Sequence, residues 1–110
     1  MNKFFKDICE ELEWEVKEYE QGVEFIQYLV ASGEKFYITL ACNPNNTETI
    51  LKSLEAYYEA FDVEEYVTNK LIAKKSGISS IPSLDILIDD AYGIIKLVKR
   101  LILNLGGRVN

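Results

Sequence analysis

Apolar residues in the first part of the chain change from a helical spacing to a strand spacing. In residues 3–12 they recur on one helical face, and Asn2 is suited to cap that helix. From Glu13 onward apolar and charged residues alternate, and a turn at 20–22 separates two alternating runs, which predicts a β-hairpin. A third alternating run follows at 35–42. Three strands joined by tight turns predict an antiparallel sheet that packs one face on helices and leaves the other partly exposed to water.

The remaining apolar residues have helical spacing, interrupted by residues that favour helix starts and ends. The first of these helices is predicted to start at Asn46 or Thr47 and to end at Phe61. The second is predicted to start at a capping box formed by Asp62 and Glu65 and to end at Gly77. The third is predicted to start at Ser83. The predicted fold is therefore α+β: an N-terminal helix, a three-stranded antiparallel sheet, then three helices, with the long C-terminal helix packed on the sheet. We expect one domain at 1–105 and a flexible C-terminal tail at 106–110.

The last helix has the most regular apolar pattern in the chain. The residues of its predicted packing face recur at alternating spacings of four and three: Leu84, Ile88, Ala91, Ile95, Val98, Ile102 and Leu105. Leu87, Ile94 and Leu101 widen this face. Ile86, Leu97 and Leu103 fall outside this face. Either another part of the fold covers them, or they join two copies of the chain in a homodimer through the C-terminal helix.

The 110 residues include 18 Asp and Glu against 12 Lys and Arg, a formal net charge of −6, and no His. A net negative charge disfavours nucleic acid and anionic membranes as direct partners, because phosphate binding depends on Lys and Arg. Charged residues interrupt the most apolar stretch, 84–105, which predicts a protein helix and no membrane span. The N-terminus is charged too early for a signal peptide, so we expect a cytoplasmic protein.

The sequence shows no pattern typical of catalysis or of a cofactor site. The absence of His removes the commonest general base and metal ligand. Cys9 and Cys42 lie in no metal-ligand spacing and are expected as free thiols, with Cys42 an ordinary core residue because no base is available to activate it. Asp89 and Asp90 are adjacent on a helix and point in different directions, so both are expected in solvent near the helix start. We predict that the protein is not an enzyme and binds no cofactor or metal ion.

Acidic residues are concentrated in two places. Seven glutamates from Glu10 to Glu24 have only Lys17 as a counter-charge, and five acids from Glu55 to Glu65 surround the junction of the two middle helices, with tyrosines among them. Carboxylates on rigid elements can take the place of phosphates in a basic groove; alternatively, they only keep a small protein soluble. We predict that eight of these residues contact a partner: Glu15, Glu18, Glu20, Tyr58, Glu59, Asp62, Glu65 and Tyr66. The acids would act as phosphate surrogates, and the tyrosines would act as anchors.

Three segments of the chain carry a resemblance to known proteins: WEVKEYEQGVEF at 14–25, SGEKF at 32–36, and IPSL and LIDDA within 81–91. They resemble a group of small, acidic, mostly uncharacterised proteins of phages and integrative elements of Firmicutes. The order of helix, three-stranded antiparallel sheet and helices, together with the acidity, is also similar to some phage anti-CRISPR proteins that block an RNA-guided nuclease by filling its DNA-binding site. These resemblances imply an anti-defence role in the cytoplasm of a bacterial host cell, and they identify no functional residue.

Together these observations predict a non-enzymatic protein of a phage or mobile element that binds and inhibits a host defence protein. Its acidic surface would mimic nucleic acid on a basic protein surface, such as the nucleic-acid-binding groove of a bacterial defence nuclease. Two alternatives stay open. One is a module that sequesters a small ligand in a pocket between the sheet and the long helix, and the other is an assembly module that associates through the C-terminal helix.

Overall fold

The chain folds in the predicted order of helices and strands. The computed structural model describes residues 1–75 and 83–109, so the helix end predicted at Gly77 lies outside the described residues. Within them the elements are α1 (Lys3–Glu11), β1 (Glu15–Tyr19), β2 (Gly22–Tyr28), β3 (Lys35–Leu40), α2 (Thr47–Ala60), α3 (Val63–Lys75) and α4 (Leu84–Asn104). The fold is α+β, as predicted, and α4 is its long C-terminal helix.

The three strands form an antiparallel sheet in chain order, and their register separates an inner face from an outer face. Val16, Phe25 and Ile38 lie opposite one another on the inner face. On the outer face, Ile26 lies between Glu15 and Tyr37. Exposed and buried residues alternate strictly along β3, which confirms the predicted division into a packed face and a wetter face.

Side-chain caps set the starts of α1, α2 and α3. Asn2 and Asn46 each accept a hydrogen bond from the backbone N–H three residues further on, at 2.9 and 3.0 Å. Asp62 caps α3 in the same way, because Glu65 N donates to Asp62 Oδ1 at 3.1 Å. Each cap satisfies a backbone N–H that the first turn of a helix leaves without a partner. The predicted caps at these three positions are confirmed.

The main hydrophobic core joins the inner face of the sheet to α1, α2 and α4, and a smaller cluster lies between α3 and α4. The buried residues of α4 are Leu87, Asp90, Ala91, Ile94, Val98, Leu101 and Ile102. The buried side of α4 is therefore rotated relative to the predicted face. Leu84, at the edge of that face, is 51% exposed, and Ile95 is only half-buried, whereas Leu87, Ile94 and Leu101 are fully buried. The rotation follows from packing, since α4 contacts the smaller cluster and the main core at once.

The apolar residues outside the predicted face of α4 have different environments. Leu97 is half-buried against the main core, and Ile86 is also half-buried. Leu103 is 50% exposed. The fold thus covers Leu97 and leaves Leu103 in contact with solvent, so dimerisation through α4 stays a prediction. No helix in the described part of the chain combines the length and the apolar character needed to cross a membrane.

The predicted C-terminal tail contacts α2. Arg108 N donates a hydrogen bond to Glu55 Oε2 at 2.7 Å, and Val109 is half-buried against the main core. Gly107 lies so close to α2 that a Cβ added to it would be 2.8 Å from Leu51 Cδ1. The segment after α4 therefore makes specific contacts as far as Val109, because the missing side chain of Gly107 lets its backbone approach α2.

Candidate functional site

The two glutamates of β1 face opposite sides of the sheet. Glu15 lies on the outer face, whereas Glu18 lies on the inner face opposite Val23 of β2. The Met1 ammonium donates to Glu18 Oε1 at 2.6 Å, and Lys6 Nζ lies 3.4 Å from Glu18 Oε2. The hydrogen bond from the ammonium lowers the pKa of Glu18. Because Glu18 is paired within the protein, it contributes less to an acidic surface than the sequence predicts.

The outer face of the sheet carries both signs of charge. Lys17 and Glu24 are direct partners across β1 and β2, and Thr39 Oγ1 donates to Glu24 Oε2 at 3.3 Å. Glu20 is exposed in the turn between these two strands. The expected row of carboxylates along the hairpin is therefore not continuous. Strand alternation places Glu18 on the inner face, and Lys17 lies beside Glu24 on the outer one.

The second acidic cluster is gathered where α2 meets α3. We define this α2–α3 junction by Tyr58, Glu59, Phe61, Asp62, Glu65 and Tyr66. Its three acids are exposed, and its aromatic residues are half-buried. The Phe61 ring centroid lies 6.1 Å from that of Tyr57 and 5.9 Å from that of Tyr66. The five predicted partner residues of this segment form two groups around Phe61, Tyr58 with Glu59 and Asp62 with Glu65 and Tyr66, and their role in partner binding stays a prediction.

Two open depressions flank Phe61 at the α2–α3 junction. One, of about 290 Å³, is bordered by Tyr58 and Glu59, and the other, of about 260 Å³, is bordered by Asp62 and Tyr66. Burial raises the pKa of Tyr66 to about 12, and nearby carboxylates add to the effect. The phenol therefore stays protonated at neutral pH and can donate a hydrogen bond to a partner. The junction presents carboxylate acceptors and phenol donors around an apolar ring. Two cations lie beside it: Arg108 borders the first depression, and Lys70 Nζ is 5.7 Å from the centroid of the Tyr66 ring.

The two acidic clusters lie at opposite ends of α2. The Met1 ammonium contacts both Glu18 and Asn45, which places this end of the hairpin beside the start of α2. Glu20 borders a shallow depression together with Asn43, on the same side. The 14 residues of α2 then rise about 21 Å before the α2–α3 junction. The predicted partner residues thus include two separate patches, with Glu18 and Glu20 far from the junction.

Asp90 is buried, so the expectation that both aspartates of α4 lie in solvent is wrong for this residue. Asp89 is exposed, as predicted, but Asp90 is only 1% exposed. Asp90 Oδ1 accepts a hydrogen bond from Ser32 N at 3.2 Å, and Oδ2 has no hydrogen-bond partner among the described residues. The signal available in the sequence was helical spacing, because Asp90 follows Leu87 by three residues and precedes Ile94 by four on the buried face.

A cavity of about 370 Å³ lies between α4 and the turn that joins β2 to β3, and we call it the α4 cavity. Leu29, Val30 and Ala31 of the turn form one wall, and Gly93 and Leu97 of α4 form the other. A Cβ added to Gly93 would meet no atom within 4 Å. No described neighbour therefore requires glycine at this position, although glycine in a helix interior costs about 1 kcal/mol relative to alanine.

Charged residues stand at both ends of the α4 cavity. Asp89 and Asp90 lie toward the N-terminal end of α4, and Lys96 and Arg100 lie toward its C-terminal end. Within the described residues, no carboxylate forms an ion pair with Lys96 or Arg100. The cavity is therefore acidic at one end, apolar in the middle and basic at the other end. A ligand pocket between the sheet and the long helix was one of the alternatives predicted from the sequence, but none of these residues was assigned to it.

The two cysteines are core residues, as expected. Both are free and buried. Burial raises the pKa of the Cys9 thiol to about 11 and also raises the pKa of the Cys42 thiol, so neither is a ready nucleophile at neutral pH. In residues 1–75 and 83–109, no group of three or more His, Cys, Asp or Glu side chains is placed to hold a metal ion.

Comparison with known proteins adds no relative. The chain matches no protein-family model, no curated protein and no solved structure. The resemblance to phage and mobile-element proteins stays a prediction from the segments 14–25, 32–36 and 81–91. Function must be inferred from two features of the molecule itself, the acidic α2–α3 junction and the α4 cavity.

Proposed function

We propose that the protein is a non-enzymatic binding protein that docks the α2–α3 junction on a basic surface of a partner protein. The observation that carries this proposal is the placement of three exposed acids beside half-buried aromatic rings around Phe61. The acids attract a basic surface, and the rings offer apolar area and rigid anchors that a partner can bury. The partner class is a nucleic-acid-binding groove of a bacterial defence nuclease, since such a groove carries Lys and Arg side chains at phosphate spacing.

The α2–α3 junction is ordered before a partner arrives. Asp62 is held by its hydrogen bond from Glu65 N, and the ring of Phe61 is packed between those of Tyr57 and Tyr66. Groups that are already in place lose less conformational freedom on binding. The net charge of −6 also speeds the encounter with a basic surface. A protein of this kind inhibits by occupying the groove and excluding nucleic acid, with no chemical step.

The exposed acids of the hairpin form a second, separate patch of the proposed contact. Glu15, Glu18 and Glu20 are all exposed, but Glu18 is paired with the Met1 ammonium. The turn that contains Glu20 lies about one length of α2, about 21 Å, from the α2–α3 junction. That span equals roughly six base-pair steps of duplex DNA, so one nucleic-acid-binding groove is long enough to contact both patches.

A charge reversal at the junction tests this proposal. The variant is Glu59→Lys with Glu65→Lys, which keeps the Asp62 side chain that caps α3. The matched control is Glu10→Lys with Glu11→Lys, which makes the same change in net charge at exposed residues of α1. Each tagged protein is mixed with lysate of a Firmicute host that carries defence systems and is eluted in a salt gradient. We expect the wild type and the α1 variant to retain a basic nuclease, and the junction variant to lose it without a change in melting temperature.

Three results would contradict the proposal. Equal loss in both variants would assign binding to net charge alone, and equal retention would place the contact elsewhere on the surface. Failure of the wild type to retain any basic nuclease would reject the partner class. With the purified nuclease, competing duplex DNA should displace the protein, and inhibition of the nuclease should weaken as salt is added.

A further inference from the structure

Two residues that are unfavourable for the stability of α4 border the same cavity. Gly93 leaves the interior of the helix without a side chain, and no described neighbour needs the space beside it. Asp90 is buried with a carboxylate oxygen that lacks a partner among the described residues. In natural proteins, local choices that lower stability are concentrated at functional sites. Both features therefore point to a ligand in the α4 cavity.

The lining of the α4 cavity defines the chemistry of that ligand. Asp89 and Asp90 favour a cationic group at one end, Lys96 and Arg100 favour an anionic group at the other, and Leu97 with the turn before β3 favours an apolar body between them. Positions 90 and 96 are about 9 Å apart along the helix axis. Long side chains on a helix point back toward its N-terminus, which brings the basic groups closer to the aspartates. An extended peptide spans about 3.3–3.6 Å per residue, so the separation suits a peptide of two or three residues. A free α-amino acid does not fit, because its ammonium and carboxylate are bonded to the same carbon.

We propose that the α4 cavity binds a small zwitterion with an apolar body between its charges, namely an apolar peptide of two or three residues. Its ammonium group lies against the two aspartates, and its carboxylate lies against Lys96 and Arg100. Asp90 Oδ2 is covered by the protein. The ammonium therefore meets Asp89 first, and rotation of the Asp90 side chain adds the second carboxylate. None of the residues of the α2–α3 junction lines this cavity, so the site is independent of the proposed partner.

Calorimetric titration of the full chain tests the site with probes matched in shape. The dipeptide Leu-Leu is the zwitterionic probe. Leu-Leu amide lacks its carboxylate, N-acetyl-Leu-Leu lacks its ammonium, and free leucine carries both charges on one carbon. We expect saturable binding of Leu-Leu. Each of the other three probes should bind at least about tenfold more weakly, as expected for the loss of one charge-assisted hydrogen bond.

Three variants locate the site. Gly93→Leu fills the cavity and should abolish binding while the melting temperature rises, because leucine favours a helix more than glycine does. Asp90→Asn should weaken binding of Leu-Leu about tenfold and leave the affinity of N-acetyl-Leu-Leu unchanged. Lys99→Gln is the control, since Lys99 is an exposed residue of α4 that does not line the cavity, and this variant should bind like the wild type.

The proposal is overturned if Leu-Leu gives no saturable heat of binding, or if the folded Gly93→Leu variant binds it as well as the wild type does. Equal affinity of Leu-Leu and its single-charge relatives would reject the assignment of the charged ends. Free leucine binding as tightly as Leu-Leu would reject the proposed separation of the two charges.

Discussion

The helices α1 and α4 end in the same hydrogen-bond pattern, but different residues occupy the position that has a positive φ. After α4, Gly106 has a φ of +89°, and the next backbone N–H donates to Ile102 O at 2.9 Å. After α1, Glu13 has a φ of +67°, and the next backbone N–H donates to Cys9 O at 2.8 Å. Both are Schellman motifs, in which glycine is the preferred residue with positive φ. A residue with a Cβ is strained there by about 1 kcal/mol, so α1 ends less favourably than α4.

The substitution Glu13→Gly should therefore stabilise the protein. We expect a gain of about 1 kcal/mol in the free energy of unfolding and a rise of several degrees in the melting temperature. Thermal unfolding followed by circular dichroism measures both. Glu13→Ala is the control, because it removes the same carboxylate but keeps the Cβ atom. If the alanine variant gains as much stability as the glycine variant, the effect comes from charge and not from φ.

At the scale of the elements, an ion-pair cluster attaches the edge strand β1 to the start of α1. Glu18 contacts the Met1 ammonium and Lys6 from the inner face of the sheet. The pKa of Glu18 is lowered below its ordinary value of 4.5, chiefly by the hydrogen bond from the ammonium. Ionised Glu18 therefore stabilises the fold above about pH 4.5, and this contribution is lost as the pH falls through the lowered pKa.

This linkage predicts a pH-dependent effect of one substitution. Glu18→Gln should lower the urea midpoint of unfolding at about pH 7 and change it less at about pH 3, because the stabilisation from ionised Glu18 decreases once the pH falls below 4.5. Glu15→Gln is the matched control, because Glu15 is exposed on the outer face of the same strand. Its midpoint should stay close to that of the wild type at both pH values. An equal effect of Glu18→Gln at both pH values would assign the loss to packing instead of the ion pair.

At the scale of the whole molecule, α4 offers two exposed leucines for contact with a second copy, Leu84 at its start and Leu103 at its end, and Leu103 lies outside the predicted packing face. Leu103 is 50% exposed, whereas Leu97 is half-buried against the main core and borders the α4 cavity. If the chain dimerises through α4, Leu103→Asp should remove the concentration-dependent increase in mass and leave the melting temperature unchanged. Leu97→Asp should instead lower the free energy of unfolding by about 2 kcal/mol or more, because it places a charge against the core. Light scattering with size-exclusion chromatography measures the mass, and a constant monomer mass for the wild type would contradict the dimer.

The whole molecule also keeps its two inferred binding features apart. The depressions at the α2–α3 junction are bordered by acids and by Arg108, whereas the α4 cavity is apolar in its middle and has charges of opposite sign at its two ends. Tyr66 belongs to the junction and is influenced electrostatically by Asp90, which borders the cavity. Each proposal can be tested with the variants of the other. The junction variant is measured for ligand binding, and Gly93→Leu is measured for partner binding.

The sequence by itself determined the elements, their order and the residues of the α2–α3 junction. The caps at Asn2, Asn46 and Asp62 and the alternation along β3 depend on residues only a few positions apart. The five predicted partner residues of the junction also lie within nine positions of one another, from Tyr58 to Tyr66. Local spacing is enough in such cases, because the backbone of a helix or a turn already brings near neighbours together.

Only the tertiary structure decided which side chains are available to a partner or a ligand. Glu18 is paired and Glu15 is free to contact a partner, because the strand register assigns them to opposite faces. Asp90 is buried by packing and bonds to Ser32, which lies 58 positions earlier in the chain. The α4 cavity likewise forms between Gly93 and a turn distant in sequence. These features depend on which distant elements meet, and a periodic pattern along one element carries no information about its neighbours.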